Sequence, residues 1–483
     1  MAGGRPLTAT DASQASYRRA SFWLDDLVAS GRDDLAPRAP LTADARFDVC
    51  IVGGGLTGLW TAYSLAKADP SLTIAVLEKE IAGFGASGRN GGWCSALFPR
   101  SAASLEREHG FDAAVAMRRA MIDTVDEVGR VAEAEGIDCD FERGGTVVFA
   151  RTDVQRRSAR AEVEEARRFG VDRPEYWDGR AVAARFGVTG VDDGDPAAMF
   201  DPACARVHPA KLVRGLAAVV ESLGVAILER TEVVDWAAGR VRFRSVDGGA
   251  QGTVSARHVI IALEGYGSQL PRVRRRILPL YSLMIATEPL SDDAWEEIGI
   301  EHGQTFSDYR HLLVYGQRTA DNRFAFGGRG ARYHWGSTVD PSFEHVDGVF
   351  DHLHATLRDL FPAVGAARVT HRWGGPLGVA RDWHATASYN PKTGVGFAGG
   401  YVGDGLSTTN LAGRTLADLV LGRDTPVSQL PWANHRSPLW EPEPLRFAGA
   451  NLGILGMQLA DLEERLTRRP SLAARLIAPL TGH

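Results

Sequence analysis

Phe47-Asp48-Val49-Cys50-Ile51-Val52, followed by Gly53-Gly54-Gly55-Leu56-Thr57-Gly58, decides how the rest of this chain is read. Six mostly apolar residues, several of them strand formers, run into a glycine cluster, the pattern of a buried strand ending in a tight turn. Gly53, Gly55 and Gly58 stand at Gly-x-Gly-x-x-Gly spacing, and Leu59 to Ala66 carries apolar residues at helical intervals. Strand, glycine turn and helix in that order make a dinucleotide-binding corner. Glycine suits it because a backbone without Cβ turns tightly, admits a pyrophosphate and lets the helix pack on the sheet, while the helix N-terminus offers N–H groups to the anion. A second strand, Leu72 to Leu77, ends in Glu78, placed to accept hydrogen bonds from ribose hydroxyls. Gly83-Phe84-Gly85-Ala86-Ser87-Gly88 has the same spacing but follows no strand, so context selects the first copy.

A chain of 483 residues, 44% hydrophobic and 24% charged, is long enough for two or three cores. Its net charge of −6 argues against nucleic acid, which wants a basic footprint. Cys50, Cys94, Cys139 and Cys204 are far apart, which fits a reducing compartment and excludes a four-cysteine zinc motif. The start, Met1 to Arg5, lacks the apolar core of a secretory signal, and no run of about eighteen apolar residues offers a membrane span. A cytoplasmic protein is expected.

Outward from the corner, Ser21 to Asp26 reads as a short apolar arm, and Ala103 to Gly136 as a long amphipathic helical region. Val154 to Phe169 is a charged helix whose run of Arg and Glu reads as a solvated face. Nucleotide-type alternation resumes near His208 and reaches the buried strand His258 to Leu263, so one sheet is interrupted by an insertion. Short aromatic-rich strands between Leu278 and Phe361 suggest an antiparallel sheet roofing a pocket. A third return, Gly394 to Tyr401, precedes Gly403-Asp404-Gly405-Leu406-Ser407 and a helix from Asn410 to Leu421. The helix around Leu452 to Leu466 reads as a packed terminal helix.

Three segments together, the corner with Glu78-Lys79, the stretch Gly83 to Gly92 and the stretch Gly399 to Gly405, resemble the D-amino-acid oxidase-like family of FAD-dependent oxidoreductases, in its gamma-glutamylputrescine oxidoreductase-like branch. The resemblance implies an α/β (α+β overall) architecture: a glutathione-reductase-like FAD-binding Rossmann domain from discontinuous segments, with an inserted mixed or antiparallel β-sheet substrate domain. The expected division is an arm at 1–45, an FAD domain at 46–105, 205–275 and 370–425, a substrate domain at 106–204 and 276–369, and a helical tail at 426–483. By the same resemblance Gly53, Gly55, Leu56, Thr57 and Gly58 hold the pyrophosphate, Glu78 the ribose, and Lys79 stands beside the adenosine. Ser87, Gly88, Arg89, Asn90, Gly91 and Gly92 run toward the isoalloxazine, Val233 meets the adenine, and Ala262 and Gly265 line the same region. Gly403, Asp404, Gly405, Leu406 and Ser407 bring a helix N-terminus to the flavin edge where charge develops on reduction. No cysteine lies near that late segment, so the FAD is expected to be non-covalent.

The implied activity is oxidation of a C–N bond in a small primary or N-alkylated amine or amino acid. Hydride passes to flavin N5, and the imine hydrolyses to an aldehyde or keto acid plus amine. O2 or an electron-acceptor protein restores the ring. Substrate-pocket candidates are Trp93, Tyr281, Tyr315, Arg329, Arg332, Trp335, Arg372 and Trp373, the arginines because a planar fork suits a carboxylate. No unique catalytic base stands out. His311, His334, His371 and His384 lack metal-ligand spacing, and no metal is expected. A flavin monooxygenase and a non-catalytic flavoprotein are the competing readings.

Overall fold

The computed structural model describes residues 9–192 and 194–477; the expectations placed on 1–8 and 478–483 lie outside them. Two eight-stranded sheets and a two-stranded ribbon make up its β structure. The first sheet runs Thr386–Asn390, Val395–Gly399, Gln251–Ile261, Ala45–Val52, Ile74–Leu77, Ala226–Leu228, and the strands Thr231–Ala237 and Arg240–Ser245 hang from Gln251–Ile261. Ala45–Val52 lies at its centre, parallel to both neighbours, with Cys50 opposite Val259 on one side and Ala75 on the other. A parallel strand covered on both faces must be apolar throughout, and Val49 to Val52 are all buried. Side-chain alternation splits them: Val49 and Ile51 join the core under the helices Leu56–Ala68, Pro209–Ser222 and Gly405–Leu421, while Cys50 and Val52 pack with Val241, Phe243 and Val254 beneath the strands Thr231–Ala237 and Arg240–Ser245.

The second sheet runs Val369–Val379, Leu278–Thr287, Phe324–Arg329, Val314–Arg318, Thr305–Asp308, Thr146–Ala150, Ala197–Asp201, Glu175–Trp177. It is antiparallel except where Thr305–Asp308 lies parallel to Thr146–Ala150, so it is mixed. One face carries Phe149, Phe306, Phe324 and Phe326 against the helix Asp347–Leu360 and its C-cap Phe361; the other turns toward the first sheet.

Four expectations need correction. Val369–Val379, placed with the first sheet, pairs along Leu278–Thr287 in the second, Trp373 opposite Met284. The inserted helix Phe111–Ala134 sends Met117, Met121, Val125 and Val128 into the first sheet's core. The late helix begins at Gly405, five residues before the expected start. Finally, the helix Leu445–Thr467 is not packed by its leucines: Leu452, Leu455, Leu459, Leu462 and Leu466 are exposed, while Asp461 faces inward and accepts from the His311 and Leu312 N–H groups. Its apolar stripe has the expected period, but the inward face is made by Ala450, Met457 and the buried Ala460 together with these polar contacts. Among the described residues no helix is long and apolar enough to cross a membrane.

Candidate cofactor and substrate site

Ala45–Val52 ends at Gly53, whose φ of +111° lies in the left-handed region; a Cβ there would stand 2.5 Å from the Ala262 carbonyl oxygen. Gly58 allows the following helix to close on the turn, since its Cβ would meet the Gly53 carbonyl oxygen at 2.0 Å. The Leu56 N–H donates to Ser87 Oγ at 2.8 Å, laying the second glycine stretch against the first. Glu78 Oε2 accepts from the Gly54 N–H at 2.7 Å and Oε1 from the Glu80 N–H at 2.9 Å. Burial nevertheless pushes its carboxyl up to about 7. Lys79 Nζ is paired with Glu232 at 3.0 Å.

A single cavity of about 1270 Å³ runs from Glu78, Lys79 and Val233, past the corner, to Tyr315, Arg329 and Asp404. Gly53, Gly55, Leu56, Thr57, Ser87, Arg89, Asn90, Gly91, Ala262, Gly403, Gly405 and Leu406 also line it. Gly58, Gly88, Gly92, Gly265 and Ser407 stand behind this wall. The Gly88 carbonyl accepts from Ser21 Oγ at 2.8 Å, the Gly92 N–H donates to Asn90 Oδ1 at 2.8 Å, and Ser407 Oγ donates to the Ser95 carbonyl at 2.5 Å.

The segment Ser87 to Gly91 is braced from three sides. Trp23 Nε1, on the buried helix Phe22–Ala29, donates to the Asn90 carbonyl at 2.8 Å, and Gln317 Nε2 of the second sheet donates to that of Gly91 at 2.6 Å. Arg89 is itself a crosslink: Nε donates to the Phe84 carbonyl at 2.7 Å and Nη1 to Glu344 at 2.6 Å. Its guanidinium thus ties the glycine stretch to the loop before the helix Asp347–Leu360.

At the other end, three of the eight pocket candidates, Trp93, Tyr315 and Arg329, line the cavity. Tyr315 Oη shares a hydrogen bond with Ser282 Oγ at 2.7 Å, and Arg329 Nη2 donates to the Val402 carbonyl at 2.5 Å. Asp404 faces Arg329; burial pushes its carboxyl up to about 6 while the guanidinium opposes the rise. The other five lie elsewhere. Tyr281 alternates with Ser282 along its strand, so it points into the opposite core, where its hydroxyl accepts from the Asp340 N–H. Trp373 is on the cavity side but is covered, its Nε1 donating to the Arg89 carbonyl at 2.8 Å. Arg332 and Trp335 are exposed, and Arg372 turns outward to Asp347 and Asp351.

A family model described as FAD dependent oxidoreductase matches residues 48–419. The chain belongs to that family. It is 31% identical over 401 residues to gamma-glutamylputrescine oxidoreductase of Escherichia coli, covering 82% of this chain and 88% of the relative. It is 30% identical over 401 residues to the probable oxidoreductase OrdL of Haemophilus influenzae, covering 80% and 86%. Among solved structures, glycine oxidase of Geobacillus kaustophilus superposes with a TM-score of 0.65 at 21% identity, over 82% of this chain and 100% of that one, a likeness of fold. The expected α/β architecture and the reading as an FAD-dependent oxidoreductase therefore stand.

The residues present fit an extended dinucleotide in this oxidoreductase. The Tyr266 hydroxyl, on the cavity wall, is buried with no hydrogen-bond partner among the described residues. Asp404 caps the helix Gly405–Leu421 without a side-chain cap bond, and that helix N-terminus opens on the cavity. Sequence reasoning missed several wall residues. Tyr401 bonds Thr57 across the two glycine segments at 3.1 Å, and Glu264 accepts from the Gly400 and Tyr401 N–H groups at 3.1 and 2.9 Å. Glu162 is exposed, as the charged helix face was expected to be, yet it also borders the cavity and accepts from Tyr309 Oη at 2.6 Å. Burial raises its carboxyl, and that of Asp201 on the same wall.

Proposed function

We propose that this oxidoreductase holds FAD non-covalently in the cavity and oxidises the C–N bond of a small primary or N-alkylated amine or amino acid. One observation carries the reading: the glycine corner and the Arg329–Asp404 end share one cavity. Gly53, Gly55, Leu56 and Thr57 would hold the pyrophosphate, Glu78 the ribose, Val233 and Ala262 the adenine side, and Ser87 to Gly91 the run toward the second sheet. Bound there, FAD supplies a two-electron acceptor for hydride from the carbon next to a substrate nitrogen, leaving an imine that water hydrolyses to an aldehyde or keto acid plus amine.

The chain's own residues supply orientation and exclusion of water. Gly403 to Leu406 aim a helix N-terminus at the place where negative charge develops. Trp93, Met284 and Tyr315 give the reacting end apolar walls, and Arg329 with Asp404 gives it one fixed cation and one carboxyl held near about 6. Glu162 and Asp201 favour substrates with a basic group at their far end. Cys204, the cysteine on the cavity wall, has its thiol pushed up to about 12 by burial, so it supplies no thiolate to tether a cofactor.

An anaerobic amine screen tests the proposal. Purified protein is mixed with each of a panel of amines and amino acids, and the flavin absorption band is followed. Bleaching by an amine, with its aldehyde or keto acid recovered on admitting O2 or an artificial acceptor, is expected. Bleaching by NADPH alone would replace this reading with a monooxygenase, and no bleaching by any amine would leave a non-catalytic flavoprotein.

A further inference from the structure

Three histidines from distant parts of the chain meet outside the cavity. His109 ends the helix Ala102–His109, His384 lies just before the strand Thr386–Asn390, and His435 follows the buried Trp432 in the tail. One ring nitrogen of each lies within 4.8 Å of the other two. The sequence expectation of no metal-ligand spacing considered neighbours along the chain, and these residues are neighbours only in the fold.

Their tautomers follow from their partners. His384 is fully buried, and its Nδ1 lies 2.7 Å from the Ala385 carbonyl oxygen, which can only accept. The proton therefore sits on Nδ1, and Nε2 keeps its lone pair. That Nε2 is buried without a hydrogen-bond partner among the described residues, a condition folded proteins rarely leave uncompensated. His435 Nε2 lies 2.8 Å from Asp382 Oδ2, an ionised acceptor, so it holds the proton and Nδ1 keeps the lone pair. Asp382 Oδ1 also accepts from the His384 backbone N–H at 3.2 Å, fixing the two rings, which stack at 3.8 Å. A carboxylate or carbonyl behind each imidazole is the arrangement that orients metal-ligating histidines.

We propose that His109, His384 and His435 bind a divalent first-row transition cation of the zinc class, with solvent completing its coordination. Three imidazole nitrogens favour such a cation over magnesium or calcium, which want oxygen ligands. Metal–nitrogen bonds of about 2.0–2.1 Å require the rings to close together, and His109, about a third exposed at a helix end, has room to move and leaves a way in. The bound cation clips the helix Ala102–His109, the turn at Asp382 to Ala385 and the tail at His435 to one another. The site lies behind the turn that leads to Gly403, since a Cβ on Gly400 would stand 3.4 Å from the His384 carbonyl oxygen. It is a structural clip, independent of the amine chemistry.

The test uses untagged full-length protein, treated with EDTA and dialysed. Zn2+ is titrated by calorimetry, and Co2+ is titrated by visible absorption. One Zn2+ per chain, the intense bands of four-coordinate Co2+ and a rise in melting temperature are expected. His109→Ala, at the surface, should fold normally by circular dichroism yet lose affinity by about tenfold or more together with the thermal gain. His435→Asn should do the same, and His352→Ala should change nothing. Absence of stoichiometric Zn2+ binding, a weak six-coordinate Co2+ spectrum, or unchanged affinity in His109→Ala would overturn the proposal.

Discussion

Glu78 gives the cofactor assignment a signature in pH. Its carboxyl is held by two backbone N–H groups, yet burial pushes it from 4.5 up to about 7, so below neutrality it is protonated in the empty site. Ribose hydroxyls donate to the ionised form, and binding therefore draws the group back toward its ordinary range and releases a proton. The sign follows: affinity for FAD is full above about pH 7 and is lost as pH falls. If the bound group returns to its ordinary range, affinity drops roughly 70-fold between pH 8 and pH 5, about 2.5 kcal/mol. Glu78→Gln keeps an acceptor for the Gly54 N–H but cannot ionise. It should bind FAD more weakly at pH 8, by about 1.5–3 kcal/mol for a lost charge-assisted bond, with a nearly flat profile. Quenching of FAD fluorescence by apoprotein at pH 5, 6, 7 and 8 measures both proteins. A wild-type affinity independent of pH, or a variant retaining the slope, would refute the assignment of Glu78.

Other outcomes follow from the same geometry. Gly58→Val places a side chain where a Cβ already meets the Gly53 carbonyl oxygen at 2.0 Å, so the helix is pushed off the turn and the protein should purify nearly colourless; normal yellow protein would count against the corner. Burial raises the Glu264 carboxyl from 4.5 to about 7, so its ionisation costs the folded protein about 3 kcal/mol, a cost that grows as pH rises from about 4.5 to 7. Glu264→Gln keeps an acceptor for the Gly400 and Tyr401 N–H groups; it should raise the melting temperature clearly at pH 8 and little at pH 5, and equal shifts would contradict this. Acid precipitation should leave all flavin in the supernatant, and colour retained in the pellet would show a covalent link that the neutral Cys204 thiol argues against.

The glycine corner itself was legible because its determinants are local: strand, turn and helix follow one another, and Glu78 closes the very next strand. The substrate end was not, because side-chain alternation and inter-strand register decide it. Ser282 and Met284 face the cavity, so Tyr281, the neighbour of Ser282 along the strand, cannot, and Trp373, opposite Met284, is capped by Arg89 and the helix Phe22–Ala29. The tail shows the same limit. The spacing of its leucines was plain, but Asp461 and its contacts to His311 and Leu312 set which side faces the body.

The most direct measurement is the flavin content of the purified full-length protein, by absorption spectrum and by release of the cofactor for quantification. One FAD per chain, or uptake of one equivalent by apoprotein, is the predicted result. Protein that carries no flavin and takes up none when offered it would contradict the account, since the proposed oxidation would then have no acceptor for its electrons.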